Sequence, residues 1–115
     1  MAQGDSMNVS IATVNNAVVV SADGELDIMS APQLDQVLTE AITQASSRLV
    51  LDLSGVTFMD STGLGTVVKA LKRCREKSLD FRVVVTTDRV RKVFEITGLD
   101  SLVSLSDALD AALSA

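Results

Sequence analysis

Short β-branched apolar runs alternate with stretches of helical spacing along this chain, and that alternation constrains the fold more than any other feature. Arg48 to Leu53 reads RLVLDL and Phe81 to Thr86 reads FRVVVT. Runs this short, rich in Val and Leu, suit strands buried on both faces of a sheet. Between and after them, apolar residues recur every three or four positions. Leu34, Val37, Leu38, Ala41, Ile42 and Ala45 form one such stripe, and Leu64, Val67, Val68, Leu71 and Cys74 form a second. Val90, Val93 and Phe94 mark a third helix over Asp88 to Thr97, which Gly98 stops.

The ends of the pattern follow from local chemistry. Val9, Ile11 and Thr13 alternate with polar residues, Asn15-Asn16 makes a turn, and Val18 to Ala22 follows. Asn tolerates the positive φ of a tight hairpin, so this is a β-hairpin whose second strand Gly24 breaks. Ser30-Ala-Pro-Gln33 opens the first helix, with Ser30 as cap, Pro32 in the first turn and Gln33 closing a capping box. Ser54-Gly55 turns the chain after the RLVLDL strand. A last short strand covers Leu102 to Leu105, and Ser106 caps a final helix whose Leu109, Ala112 and Leu113 face the core. The order β-β-α-β-α-β-α-β-α predicts an α/β domain with a small, largely parallel mixed sheet, an antiparallel edge hairpin and about four helices. Residues 1–6 are expected to be a loose tail and residues 7–115 a single domain, which suits a chain of 115 residues.

Composition then removes whole classes of chemistry. There is no histidine and a single cysteine, Cys74. Ser-His-Asp and Cys-His mechanisms cannot be built, the commonest metal ligand is missing, and no intrachain disulfide can form. There is no Walker P-loop and no G-x-S-x-G, and Gly63-Leu-Gly65 lacks the spacing of a dinucleotide loop. A receiver-like regulator needs an acidic pair and a strand-end Lys that this chain does not offer. No enzyme activity, cofactor or metal is expected. No apolar run approaches the roughly 18 residues of a membrane span, and Met1 to Ser10 has neither the basic residue nor the apolar core of a signal peptide. A cytoplasmic location follows as the expectation.

Charge is uneven. The chain carries a net −5, yet residues 69–92 hold nine bases, Lys69 to Lys92, against Glu76, Asp80 and Asp88. Only one aromatic, Phe81, falls among these bases and the chain as a whole is acidic, so a solvated helix face with its neighbours is expected and nucleic-acid binding is not. The acidic first half could steer the domain toward a basic partner. Cys74 lies on an apolar stripe and reads as core.

The segment Asp52 to Val68, DLSGVTFMDSTGLGTVV, carries the functional signal. A strand runs into a helix that starts at Asp60-Ser61-Thr62-Gly63. Asp60 is a natural N-cap for the N–H of Thr62 or Gly63. Ser61 then occupies the first helical position, on the strand-end rim where open α/β folds place their sites. Gly63 and Gly65 each cost about 1 kcal/mol relative to Ala inside a helix, which suggests that another surface approaches this backbone. A phosphate on Ser61 would meet the positive end of the helix dipole, so it would alter a docking surface and leave the fold intact.

Two motifs, Gly24-Glu25-Leu26-Asp27 and Asp52 to Gly65, resemble those of STAS-domain anti-sigma-factor antagonists, the bacterial anti-anti-sigma family. The resemblance covers the chain after the tail. It implies a partner-switching protein in transcription regulation. The unphosphorylated form would bind an anti-sigma factor that is also an ATP- and Mg²⁺-dependent serine kinase, and so release the sigma factor. Phosphorylation would abolish binding, and a serine phosphatase would restore it. The phosphoacceptor implied is Ser61. Thr62 stands where many members carry a second serine. Asp27 and Glu25 are carried over as docking residues, so the implied partner-binding surface is Glu25, Asp27, Asp60, Ser61, Thr62, Gly63 and Gly65. The free chain is expected to be monomeric, with no direct contact to nucleic acid or membrane. The alternative is a STAS module that is never phosphorylated and serves as an interaction or ligand-binding part of a stress or transport complex. Neither motif explains the basic run or Cys74.

Overall fold

Asn15 and Asn16 adopt φ of 52° and 67°, the backbone of a two-residue hairpin turn, as their side chains allow. They join β1 (Asn8–Val14) to β2 (Ala17–Leu26), which pair antiparallel from Asn8↔Asp23 to Val14↔Ala17. The computed structural model describes residues 7–114. Residues 1–6, the expected tail, and Ala115 lie outside the described residues. The chain continues as α1 (Ala31–Gln44), β3 (Arg48–Met59), α2 (Ser61–Glu76), β4 (Asp80–Val84) and α3 (Asp88–Ile96). A single 3₁₀ turn, Leu99–Ser101, precedes β5 (Ser104–Ser106) and α4 (Leu109–Leu113). The sheet order is β1-β2-β3-β4-β5, and every pair after the hairpin is parallel. This is the mixed, largely parallel sheet that the alternation of elements requires.

The core follows the period-2 geometry of the strands. Val18, Val20, Leu49, Leu51 and Val83 face the larger core beneath α1, α2 and α3. Ala17, Val19, Val50 and Val84 face the opposite side, which Ala112 of α4 covers together with Leu109 and Leu113. The two faces explain why β2 and β3 read as unbroken apolar runs. The short α4 is held at its C-terminus by two guanidinium groups. Arg48 donates to the Leu113 and Ser114 carbonyls at 3.0 and 2.9 Å, and Arg82 to those of Ala112 and Ser114 at 3.2 and 2.6 Å. Cations at a helix C-terminus satisfy its orphan carbonyls and its dipole together.

Several local expectations are corrected. Gly24 does not break β2. The strand passes through it at φ 117°, with register shifts on either side of the Asp23–Gly24 pair. That is a bulge, and glycine supplies its positive φ. Ser54-Gly55 does not turn the chain either, because β3 runs on to Met59. Beyond its pairing with β4, its carbonyls are met by threonine hydroxyls: Thr86 donates to Ser54 O at 3.2 Å and Thr87 to Val56 O at 3.1 Å. Those bonds replace the last two rungs expected of the Phe81–Thr86 strand, which stops at Val84. Ser106 does not cap α4. Its carbonyl accepts from Val85 N at 2.9 Å, which keeps it in β5, and Ala108 precedes the helix without a side-chain cap. Gly98, at φ 76°, ends α3 as expected.

Much of the basic run is engaged within the fold. Lys69 and Arg73 pair with Asp35 at 3.4 and 3.6 Å, Lys77 donates to Ile42 O at 2.6 Å, and Arg91 to Val85 O at 2.7 Å. Cys74 is wholly buried on the inner face of α2. Burial pushes its thiol up to about 11, against a smaller opposing pull from Lys77. The thiolate is the reactive form, so Cys74 should resist a thiol-specific disulfide reagent at neutral pH and react once denaturant is added. Rapid labelling of the native protein would contradict this packing.

Candidate functional site

The site forms where β2 and β3 end side by side. Leu26 pairs with Met59, and both strands then deliver their helices to the same rim. Three bonds lock the two ends together. Asp60 N donates to Leu26 O at 3.1 Å. Asp60 Oδ1 accepts from Gly63 N at 2.9 Å, which caps α2 as the sequence suggests. Asp60 Oδ2 accepts from Ile28 N at 3.2 Å. One carboxylate therefore caps α2 and fixes the turn that leads into α1. Removing it strips a cap and releases that turn. Asp60→Ala should cost about 1–2 kcal/mol in thermal denaturation, whereas Asp60→Asn, whose one amide oxygen can keep the cap but not also accept from Ile28 N, should lose less.

The turn itself is built by Asp27, not by Ser30. Asp27 Oδ1 accepts from Met29 N at 3.0 Å and Ser30 N at 3.1 Å, and its carbonyl accepts from Ala31 N at 2.8 Å. Ser30 is buried, and its hydroxyl donates to Glu25 O at 2.6 Å. The expected Ser30 cap and capping box with Gln33 are absent, because Ser30 is already in a helical conformation and its side chain turns back to β2. Glu25, Asp27, Asp60, Ser61, Thr62 and Gly63 thus gather at one rim.

Ser61 is the first residue of α2, and its side chain is exposed, as is that of Thr62. The two glycines separate into different roles. A Cβ on Gly63 would stand 2.6 Å from Leu26 Cγ and 2.7 Å from Leu26 O, so the surface that crowds Gly63 is the end of β2 in this same chain. The expectation of an external partner is corrected there. Gly65 is exposed and a Cβ on it would meet nothing within 4 Å, which leaves its backbone open to an approaching surface.

Sequence reasoning missed the exposed apolar groups at this end of the sheet. Ile28 and Met29 are 66% and 81% exposed, and Phe58, opposite Glu25 in the sheet, is 37% exposed. A shallow groove of about 340 Å³ runs from Ile28 between α1 and α2, lined also by Ala31, Pro32, Thr62 and Thr66, with the Asp35–Lys69 ion pair in its wall. Exposed apolar groups rimmed by polar ones are the makings of a protein-docking surface. Two consecutive large apolar residues between a strand and a helix, in phase with neither, were the available signal. Among the described residues no group of three His, Cys, Asp or Glu side chains could hold a metal ion, and no helix is long and apolar enough to cross a membrane.

Comparison with known proteins agrees with this architecture. The chain is 31% identical over 105 residues to an anti-sigma-B factor antagonist of Staphylococcus aureus, across 91% of this chain and 97% of that one. The crystal structure of an anti-sigma factor antagonist from Mycobacterium paratuberculosis superposes with a TM-score of 0.89 at 31% identity, over 98% of this chain and 96% of that one. A sulfate transporter family protein from Wolinella succinogenes shares the fold with a TM-score of 0.75 at 18% identity, over 89% of this chain and 85% of that one, a likeness of fold alone. The STAS domain profile matches residues 8–112. The chain therefore belongs to the STAS domain family.

Proposed function

We propose that this chain is an anti-sigma-factor antagonist whose docking surface is switched by phosphorylation of Ser61. The observation that carries the proposal is an exposed serine at the first position of a helix whose cap, Asp60, also holds the turn that bears exposed Ile28 and Met29. The similar anti-sigma factor antagonists of Staphylococcus aureus and Mycobacterium paratuberculosis support the same role. Residues 7–115 act as one STAS domain in the cytoplasm. The unphosphorylated rim binds an anti-sigma factor that is also an ATP- and Mg²⁺-dependent serine kinase, which frees the sigma factor. A serine phosphatase restores the binding form. The domain binds its partner and performs no catalysis of its own.

The electrostatics favour a switch at this position. A phosphate brings a charge of about −1.5 to −2 to the N-terminus of a 16-residue helix, where the dipole welcomes it. The helix cap does not use the Ser61 side chain, since Asp60 supplies it. The added charge joins Glu25, Asp27 and Asp60 on one rim, and a partner surface that buries a neutral hydroxyl and apolar neighbours loses by desolvating it.

The test is phosphoryl transfer. Wild-type and Ser61→Ala proteins are incubated with Mg-ATP and a lysate of the native host, and the modified residue is mapped by mass spectrometry. Phosphate on Ser61, absent from the variant, is expected; the same map reads Thr62. Ser61→Ala should bind the anti-sigma factor constitutively. An unmodified wild type, in a lysate active on another kinase substrate, would favour the STAS module that is never phosphorylated.

A further inference from the structure

The same helix that starts at Ser61 carries a second groove on its other flank. It lies between α2 and the 3₁₀ turn and has a volume of about 270 Å³. Leu64, Val68, Leu71, Leu99 and Leu102 line it, with Lys72 and Arg75. Leu102 is 52% exposed, and Leu64 and Val68 are only partly buried against the core. Lys72 and Arg75 are exposed, and among the described residues neither has a carboxylate within ion-pairing distance. Arg75 closes one end by donating to Leu102 O at 3.4 Å. The remaining bases on α2, Lys69 and Arg73, pair with Asp35 of α1, on the opposite flank. So the cations that the fold leaves without a carboxylate on this helix are those beside the apolar groove.

We propose that this groove is a docking site for an amphipathic, acidic helical segment, with its apolar side chains seated on Val68, Leu71 and Leu102 and its carboxylates meeting Lys72 and Arg75. Two observations commit the occupant. The lining is apolar while its unpaired charges are all positive, which selects an apolar ligand bearing Asp or Glu and disfavours a basic one. The groove also continues from the Ser61 rim along one rigid helix. Lys72 lies eleven residues after Ser61, about 16 Å along the axis, so one partner can hold both. That last step, assigning both contacts to one partner, rests on the proposed function; the groove and its ligand chemistry do not. This surface also gives a role to part of the basic run that neither sequence motif explains.

The experiment uses the full chain, isotopically labelled, titrated with a synthetic 16-residue helical peptide. The peptide carries Leu at helical i, i+3, i+4 and i+7 spacing, flanked by Glu, and a control has Lys at every Glu position. Amide shifts confined to α2 from Leu64 to Arg75 and to Leu99–Leu102 are expected, from the Glu peptide alone. Lys72→Glu with Arg75→Glu should weaken binding roughly tenfold, and Leu102→Asp should abolish it. All three positions are solvent-exposed or half-exposed, so the variants should keep the wild-type circular dichroism and melting temperature. Equal binding of both peptides, shifts outside the groove, or indifference to the double charge reversal would overturn the proposal. So would concentration-dependent dimerisation through this face, which would make a second copy its occupant. The peptide reads nothing at Ser61. Its failure therefore leaves the serine switch standing, and failure of phosphoryl transfer leaves the groove standing.

Discussion

Ser61→Asp should bind the anti-sigma factor at least roughly thirtyfold more weakly than wild type and yet melt within about 2 °C of it. The two halves of this result have separate causes. Binding fails because the variant places a carboxylate on a rim that otherwise offers a hydroxyl, beside the Asp60-held turn that exposes Ile28 and Met29. Leaving a desolvated charge unpaired at such an interface costs about 2–5 kcal/mol, which is roughly thirtyfold to several thousandfold. Stability survives because Ser61 is exposed and the cap belongs to Asp60. An acidic residue in the first turn gains about 0.3–1 kcal/mol from the helix dipole, which offsets repulsion from the neighbouring Asp60. Calorimetric titration and thermal denaturation measure the two halves independently. A fall in melting temperature of 8 °C or more would make Ser61 a structural residue. Undiminished binding would place the docking surface elsewhere.

What was legible in the sequence is what local chemistry decides. Asn15-Asn16 forms its turn because two residues tolerant of positive φ leave no better option, and Asp60 caps α2 because a carboxylate three residues before Gly63 can reach its N–H. The alternation of apolar runs gave the sheet and its parallel order. Most of the misreadings come from pairings distant in sequence. Gly24 and Gly55 look like breakers until β2 and β3 are laid side by side, where one supplies a bulge and the other makes room for Asp23. The Ser30 misreading is a local one: Asp27, just past the end of β2, accepts from the Ser30 N–H, and the Ser30 hydroxyl turns back to Glu25 O. The rim around Ser61 was legible as a motif. Its apolar border was not, because Ile28 and Met29 become meaningful only when Asp60 Oδ2 ties their turn beside α2.

Gly63 and Gly65 test that distinction most sharply, since their sequence context is nearly the same and their surroundings are not. Helix propensity alone makes each Gly→Ala change favourable by up to about 1 kcal/mol. At Gly65 nothing opposes the gain, because the added methyl enters open space. Gly65→Ala should therefore melt at or slightly above the wild-type temperature. At Gly63 the methyl would lie 2.7 Å from the Leu26 carbonyl oxygen, a backbone atom in a paired strand. It can be accommodated only by pushing α2 from β2, which strains the Asp60 N to Leu26 O bond. Overpacking of this kind costs about 1–3 kcal/mol or more, so Gly63→Ala should melt roughly 5–15 °C lower. The binding results should run the other way per unit of stability lost. Gly65→Ala places its methyl on the exposed face of α2 one turn beyond Ser61, and a partner in contact with that backbone should bind about tenfold more weakly to a protein that is no less stable. If Gly65→Ala binds as wild type, the docking surface stops short of the second turn, and Gly65 has no part in it. If Gly63→Ala is as stable as wild type, β2 and α2 can separate without cost, and their close approach does not fix the geometry of the serine.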